Sequence, residues 1–133
     1  MSDLQSLISD FVNREVWAVV GASRDRRKFG YQVFRSLLDA GYTVYPVNPK
    51  GGELDGMVVY PTLADLPQPP DVINMVVPPD VTEQVVKEAH ELGLTRVWMQ
   101  PGAESEASIR YCREHGMQVV ERACAMVWKN RRD

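Results

Sequence analysis

Apolar positions along the chain fall into two alternating patterns. One is the short continuous run: VWAVV (16–20), TVYPV (43–47), DVINMVV (71–77), RVWMQ (96–100) and MQVVE (117–121). Runs of this length, rich in valine and covered on both faces, are the mark of strands in a parallel sheet. The other is a one-sided stripe at helical spacing. Leu4, Leu7, Ile8 and Phe11 form one such stripe, behind a capping-box start at Ser2 and Gln5. Val33, Phe34, Leu37 and Leu38 form a second, on a helix expected from near Gly30 to Gly41. A third helix is predicted from a capping box at Asp80 and Glu83 to Gly93, and a fourth from about Glu104 to Gly116. Gly41, Gly93 and Gly116 are each followed within a few residues by a strand. Glycine tolerates the left-handed conformation that ends a helix.

Strand and helix therefore alternate, which means βαβ units and helices on both faces of a parallel sheet. The expected fold is α/β: a small doubly wound parallel sheet of about five strands with a leading N-terminal helix. NPKGGELDG (48–56) reads as a turn-rich loop, MVVY (57–60) as a minor strand and TLADL (62–66) as a short helical turn. The tail MVWKNRRD reads either as a last strand or as a segment packed on the core. PQPPD (67–71) is short enough to be a loop, so residues 1–133 are expected to form one domain.

Composition narrows the function classes. The chain is 44% apolar and 25% charged, an ordinary globular mix. A net charge of -3 does not suit nucleic acid. No apolar run is long enough to span a bilayer. The N-terminus has no basic region or cleavage site of a signal peptide, so the chain is expected in the cytoplasm. Cys112 and Cys124 have no metal-ligand or CxxC spacing and read as free thiols.

In a doubly wound sheet, ligands bind at the carboxyl ends of the strands, near the point where strand order reverses. Gly21 follows the first strand directly, in VVGASRDRRKFG (19–30). Ala22 and Ser23 leave the backbone open to an approaching phosphate, and the helix beyond offers unpaired N–H groups to an anion. Arg24, Arg26, Arg27 and Lys28 stand where the common dinucleotide fingerprint places its further glycines, and the next glycine is Gly30. Arginines grip phosphate oxygens in two-pronged fashion. A plain turn with solvated basic residues is the competing reading.

The second strand ends in Asn48, Pro49 and Lys50, with no acid for ribose hydroxyls. Asn48 suits a ribose or a base edge, and Lys50 a phosphate on the ribose. The expected ligand thus has a phosphorylated adenosine, as in NADP or coenzyme A; an ordinary exposed lysine is the alternative for Lys50. Val77 and Pro78 in VVPPD make a rigid apolar wall or a simple strand stop. Gln100 in MQPG reaches a ligand amide or satisfies loop backbone. No Ser-His-Asp, Cys-His or zinc-binding arrangement is legible. His90 reads as partly exposed, His115 as a cation at a helix end, and Trp17, Trp98 and Trp128 as packing residues.

VVGAS, FGYQV, LLDAGYTVYPVNPK, VYPTLADLP, VVPP, ELGLTRVWMQPG and CREHGMQVVERAC together resemble the small stand-alone CoA-binding domain proteins. These are similar to the N-terminal Rossmann-like domain of the succinyl-CoA synthetase alpha subunit. The resemblance covers nearly all of the chain after the first helix. It implies that Gly21 and Ala22 form the turn, and that Ser23, Arg24, Asp25 and Arg26 hold the CoA phosphates beside Lys28 and Gly30. It also implies that Lys50 contacts the ligand, that Asn48, Pro49 and Pro78 line its pocket, and that Met99, Gln100 and Pro101 contribute the loop after the fourth strand. MQPG and ERACAMVWK depart from the family's usual pattern, although Cys124 falls where the family has its cysteine.

Synthetase chemistry needs a phosphorylated histidine in a second domain and an ATP-grasp partner, and 133 residues hold neither. The resemblance therefore implies a non-catalytic binding or regulatory module for CoA or an acyl-CoA. The alternatives are an NADP-binding protein and a CoA-supplying subunit of a multi-chain acyl-CoA ligase, with an unidentified protein partner.

Overall fold

The computed structural model describes residues 3–129. Helix α1 (Asp3–Val12) leads into β1 (Val16–Val20), α2 (Phe29–Asp39) and β2 (Thr43–Val47). A small hairpin, β3 (Glu53–Leu54) and β4 (Met57–Val58), precedes a 3-10 turn at Leu63–Asp65. Then come β5 (Val72–Met75), α3 (Pro79–Glu91), β6 (Arg96–Met99), α4 (Glu106–Glu114), β7 (Gln118–Glu121) and a short α5 (Ala125–Trp128).

Five strands form one parallel sheet in the order β2-β1-β5-β6-β7. The chain moves outward from β1 to β2, then returns to the other side of β1 with β5. That reversal is the switch point, and it opens a crevice between the carboxyl ends of β1 and β5. One face of the sheet packs on Ile8, Phe11, Val33, Phe34, Leu37 and Ala125 from α1, α2 and α5. The other packs on Val86, Ala89 and Cys112 from α3 and α4. Strands covered on both faces cannot alternate apolar with polar, which explains the continuous runs.

An aromatic cluster anchors the first face. The Trp17 and Trp98 rings lie 5.8 Å apart, with Phe11 6.2 Å from Trp98 and Tyr42 5.5 Å from Trp17. Each polar edge is matched: Trp98 Nε1 donates to the Ala123 carbonyl, Trp17 Nε1 to that of Arg14 and the Tyr42 hydroxyl to that of Val12.

Several boundaries differ from expectation. The capping box at Asp80 and Glu83 does not form. Pro78 is the N-cap and Pro79 the first helical residue, so Asp80 already lies inside the first turn. Proline suits that start because its φ is set for the helix and its missing N–H would have no intrahelical partner. Glu83 instead accepts a hydrogen bond from the Ser105 hydroxyl at 2.7 Å. Among the described residues, the boxes that do form are Thr62 with Asp65 and Ser105 with Ser108. The tail contributes α5 rather than a strand, and Trp128 is 44% exposed instead of packed. Leu4 is also exposed. The minor strand is two residues long, extended by a bridge between Tyr60 and Val47. The expected cap at Ser2, together with Arg131 and Arg132 of the tail, lies outside the described residues.

Candidate functional site

A cleft of about 600 Å³ opens at the carboxyl ends of β1, β2 and β5. Its floor is the turn after β1. Gly21 has φ +100°, and a Cβ there would overlap the Val76 carbonyl. Its N–H donates to the Val47 carbonyl at 2.9 Å, so the turn is tied to β2. Gly30 lies against Gly21, where a Cβ would overlap the Gly21 carbonyl. The two glycines thus bring the start of α2 into backbone contact with the turn, across a longer insert than the common fingerprint has.

The insert is internally organised. Ser23 Oγ accepts from the Asp25 N–H at 3.0 Å, and Asp25 Oδ1 accepts from the Arg27 N–H at 3.0 Å. The Arg27 guanidinium also bonds the Asp25 carboxylate and holds it below the usual carboxylate range. Lys28 is the N-cap of α2 and supplies no side-chain cap, and the first turn contains no acid. This positive helix end therefore faces the cleft with no acid in its own first turn, and the carboxylate nearest to it along the chain, Asp25, is bonded to Arg27.

Sequence-predicted residues separate into three groups. Gly21, Ala22, Ser23, Arg24, Asp25, Lys28 and Gly30 line the cleft, with Asn48, Lys50, Val77 and Pro78 opposite. Besides Ser23 and Asp25, which are bonded within the insert, Arg24 and Asn48 are engaged with other loops. Arg24 folds over the neighbouring loop, donating to the Gly51 carbonyl at 3.1 Å and the Glu53 carbonyl at 2.9 Å. Asn48 Nδ2 donates to the Ala22 carbonyl at 2.9 Å, and its Oδ1 accepts from the Lys50 N–H at 3.0 Å. Asn48 thereby joins the loops after β1 and β2. Among the described residues, neither the Lys50 nor the Lys28 ammonium has a salt-bridge partner.

Arg26 and Pro49 do not line the cleft. The Arg26 side chain is 77% exposed, 3.7 Å from Asp55 and above the Tyr31 ring. Asp55 collects the Tyr31 hydroxyl at 2.8 Å and Arg35 at 3.3 Å as well, and these bonds, Tyr31 first, hold its carboxyl low.

The loop after β6 forms a separate groove. Gln100 and Pro101 line it with Gly102 and Ala103, and it shares Phe29, Val76, Val77 and Pro78 with the cleft. Gln100 is only 1% exposed. Its Oε1 accepts from the Ala125 N–H at 2.8 Å and its Nε2 donates to Cys124 Sγ at 3.4 Å, so it satisfies neighbouring backbone and thiol. Met99 is fully buried in the core beneath α4, where Ser108 Oγ contacts its sulfur.

Sequence reasoning missed Phe29, Leu54, Val59 and Val76 as cleft residues. Leu54 is on β3 and Val59 follows β4, and only the folding of that hairpin over the cleft brings them there. Phe29 carried a signal, since a large aromatic at a helix start next to a glycine is out of keeping with a solvated turn; it is 41% exposed. His90 and His115, read separately along the chain, meet at the ends of α3 and α4 with ring centroids 4.8 Å apart, and Tyr111 stacks on His115 at 3.9 Å. Among the described residues no group of three side chains could hold a metal ion, and no helix is long and apolar enough to cross a membrane.

A family model described as a CoA binding domain matches residues 15–129. The alpha subunit of an ADP-forming acetate–CoA ligase II from Pyrococcus furiosus is 30% identical over 89% of this chain, which spans 28% of that subunit. A conserved hypothetical protein of known structure, also from Pyrococcus furiosus, is 42% identical. It superimposes with a TM-score of 0.82 over 85% of this chain and 97% of its own. A dinucleotide-forming acetyl-coenzyme A synthetase from Ca. Korarchaeum cryptofilum matches at 33% identity and a TM-score of 0.71, over 84% of this chain and 27% of its own.

Proposed function

Because this chain belongs to the CoA-binding domain family, we propose that the cleft between β1, β2 and β5 takes the nucleotide end of coenzyme A. The observation that carries the proposal is the α2 N-terminus, held in backbone contact with the Gly21 turn and flanked by Lys28 and Lys50, two cations without ion-pair partners among the described residues. In this reading the diphosphate lies over Gly21–Ser23 and the first N–H groups of α2. Lys50 takes the 3′-phosphate. Leu54, Val59, Val77 and Pro78 give the apolar surface for the adenine or the start of the pantetheine arm. Arg24 acts indirectly, by clamping the loop that carries Lys50.

The chain acts as a binding module in this reading. Ser23 Oγ is engaged by the loop backbone, and neither histidine lines the cleft. Calorimetric titration with CoA, dephospho-CoA, NAD and NADP tests the proposal, with CoA expected to bind most tightly. Lys50→Ala should weaken CoA by roughly tenfold, the scale of one partly exposed charge-assisted bond, and dephospho-CoA much less. Equal loss for both ligands removes Lys50 from the 3′-phosphate. Comparable binding of NADP and CoA favours a general phospho-adenosine site.

The likeness to a ligase alpha subunit supports a second reading, in which the module delivers CoA to a separate catalytic chain. A stable complex on co-expression with such a chain, with acyl-CoA formation dependent on both, is its test.

A further inference from the structure

The groove beyond the cleft has a composition that the CoA phosphates do not explain. Its volume is about 310 Å³. Phe29, Val76, Val77 and Pro78 belong to both spaces, so the two are continuous along the ends of β5. From β1, where the Gly21 turn begins, to β6, where the groove ends, is two strand spacings, about 10 Å. An extended pantetheine arm is longer than that. A CoA whose diphosphate lies on the turn therefore has an arm long enough to reach this groove.

None of the residues lining the groove is charged. The polar groups on its β6 side are engaged. Pro78 and Pro101 have no N–H. The Gly102 N–H donates to Glu104 Oε1 at 3.0 Å, and the Ala103 N–H to the Gln100 carbonyl at 2.8 Å. The Gln100 N–H donates to the Met75 carbonyl, and both ends of its amide side chain are bonded. A carboxylate placed against this side would lose part of its water, find these donors occupied and approach the Glu104 carboxylate that is bonded to Gly102. An aliphatic group would meet Phe29, Val76, Val77, Pro101 and Ala103.

We propose that the groove is an acyl site, and that the preferred ligand is a CoA thioester of a short, uncharged aliphatic acid rather than free CoA or a dicarboxylic acyl-CoA. The inference rests on the CoA reading of the cleft. A methylene buried in a groove open on one side should tighten binding by about twofold, less than full burial would. Butyryl-CoA should therefore bind about fourfold tighter than acetyl-CoA, and succinyl-CoA more weakly than either.

The experiment is calorimetric titration of the wild-type protein with CoA, acetyl-CoA, butyryl-CoA and succinyl-CoA. The same series is then run on Pro101→Lys, which places a cation at an exposed position on the groove. The expected result is the order butyryl, acetyl, succinyl in the wild type, and at least a threefold fall of the butyryl-to-succinyl ratio in the variant. Circular dichroism of the variant establishes that it is folded. Equal affinity for all four ligands overturns the acyl site and leaves the CoA reading standing. Tighter binding of succinyl-CoA than of butyryl-CoA overturns it as well. Failure of every ligand to bind overturns both readings at once.

Discussion

Individual residues show how little freedom the site leaves. Gly30 was visible as a glycine in an unusual place, but its purpose lies in a contact nine residues back along the chain. Gly30→Ala sets a Cβ into the Gly21 carbonyl, a backbone atom that cannot swing aside. It should lower stability by about 1–3 kcal/mol in denaturant unfolding and weaken CoA by disturbing the turn; unchanged stability would show that α2 shifts freely. Cys112 is a different case. Burial pushes its thiol from 9.0 up to about 11, against a smaller downward pull from Arg113. The folded state thus holds the thiol proton more tightly than the unfolded chain. The resulting stability is fully present below pH 9 and is lost as pH rises from there through 11. Its size is roughly 2–3 kcal/mol. Cys112→Val should flatten the alkaline fall of the melting temperature over that window, and the same slope in both proteins would assign the fall to other groups.

At the scale of elements, hydrophobic periodicity carried the strands and the main helices, because a residue run buried on both faces looks the same wherever its neighbours come from. Helix starts were less legible. Asp80 and Glu83 had the spacing of a cap, yet Pro78 and Pro79 open α3 two residues earlier and free Glu83 for another use. That use is at α4. Ser105 Oγ accepts from the Ser108 N–H at 3.0 Å and donates to Glu83 Oε2, so one hydroxyl caps α4 and ties it to α3. Ser105→Ala should destabilise the protein by about 1–2 kcal/mol in denaturant unfolding. Glu83→Gln should cost less, since the cap itself survives; the reverse order would make the inter-helix bond the larger contribution. The tail was ambiguous because four residues of helix carry too little pattern, and α5 is held by Gln100 rather than by its own sequence.

For the whole molecule, charge distribution matters more than its sum. The net charge is -3, whereas Lys28, Lys50 and the α2 N-terminus converge on one cleft. Attraction between exposed charges is screened over about 10 Å at 0.1 M salt. CoA affinity should therefore fall by about tenfold between 20 mM and 500 mM salt, read by calorimetry at both. Salt-independent binding would shift the weight to the apolar surfaces of Val77, Pro78 and Phe29. The wider arrangement follows the switch point: β5 returns beside β1, so the Gly21 turn, the Lys50 loop and the Pro78 wall open on one crevice.

Read alone, the chain determined the doubly wound architecture, the Gly21 turn and the family, because periodicity, glycine stops and short local motifs are properties of neighbouring residues. Tertiary structure decided which side chains are available to a ligand. Arg24, Asn48 and Gln100 have the chemistry to bind one, and each is engaged with a carbonyl, an N–H or a thiol from a distant segment. Such partners are between 24 and 29 residues away in sequence at these three positions. The same holds for Leu54 and Val59, which reach the cleft through the path of a hairpin. Hydrogen-bond satisfaction and the meeting of remote loops are decided by the fold in space, and no local pattern of residues encodes them.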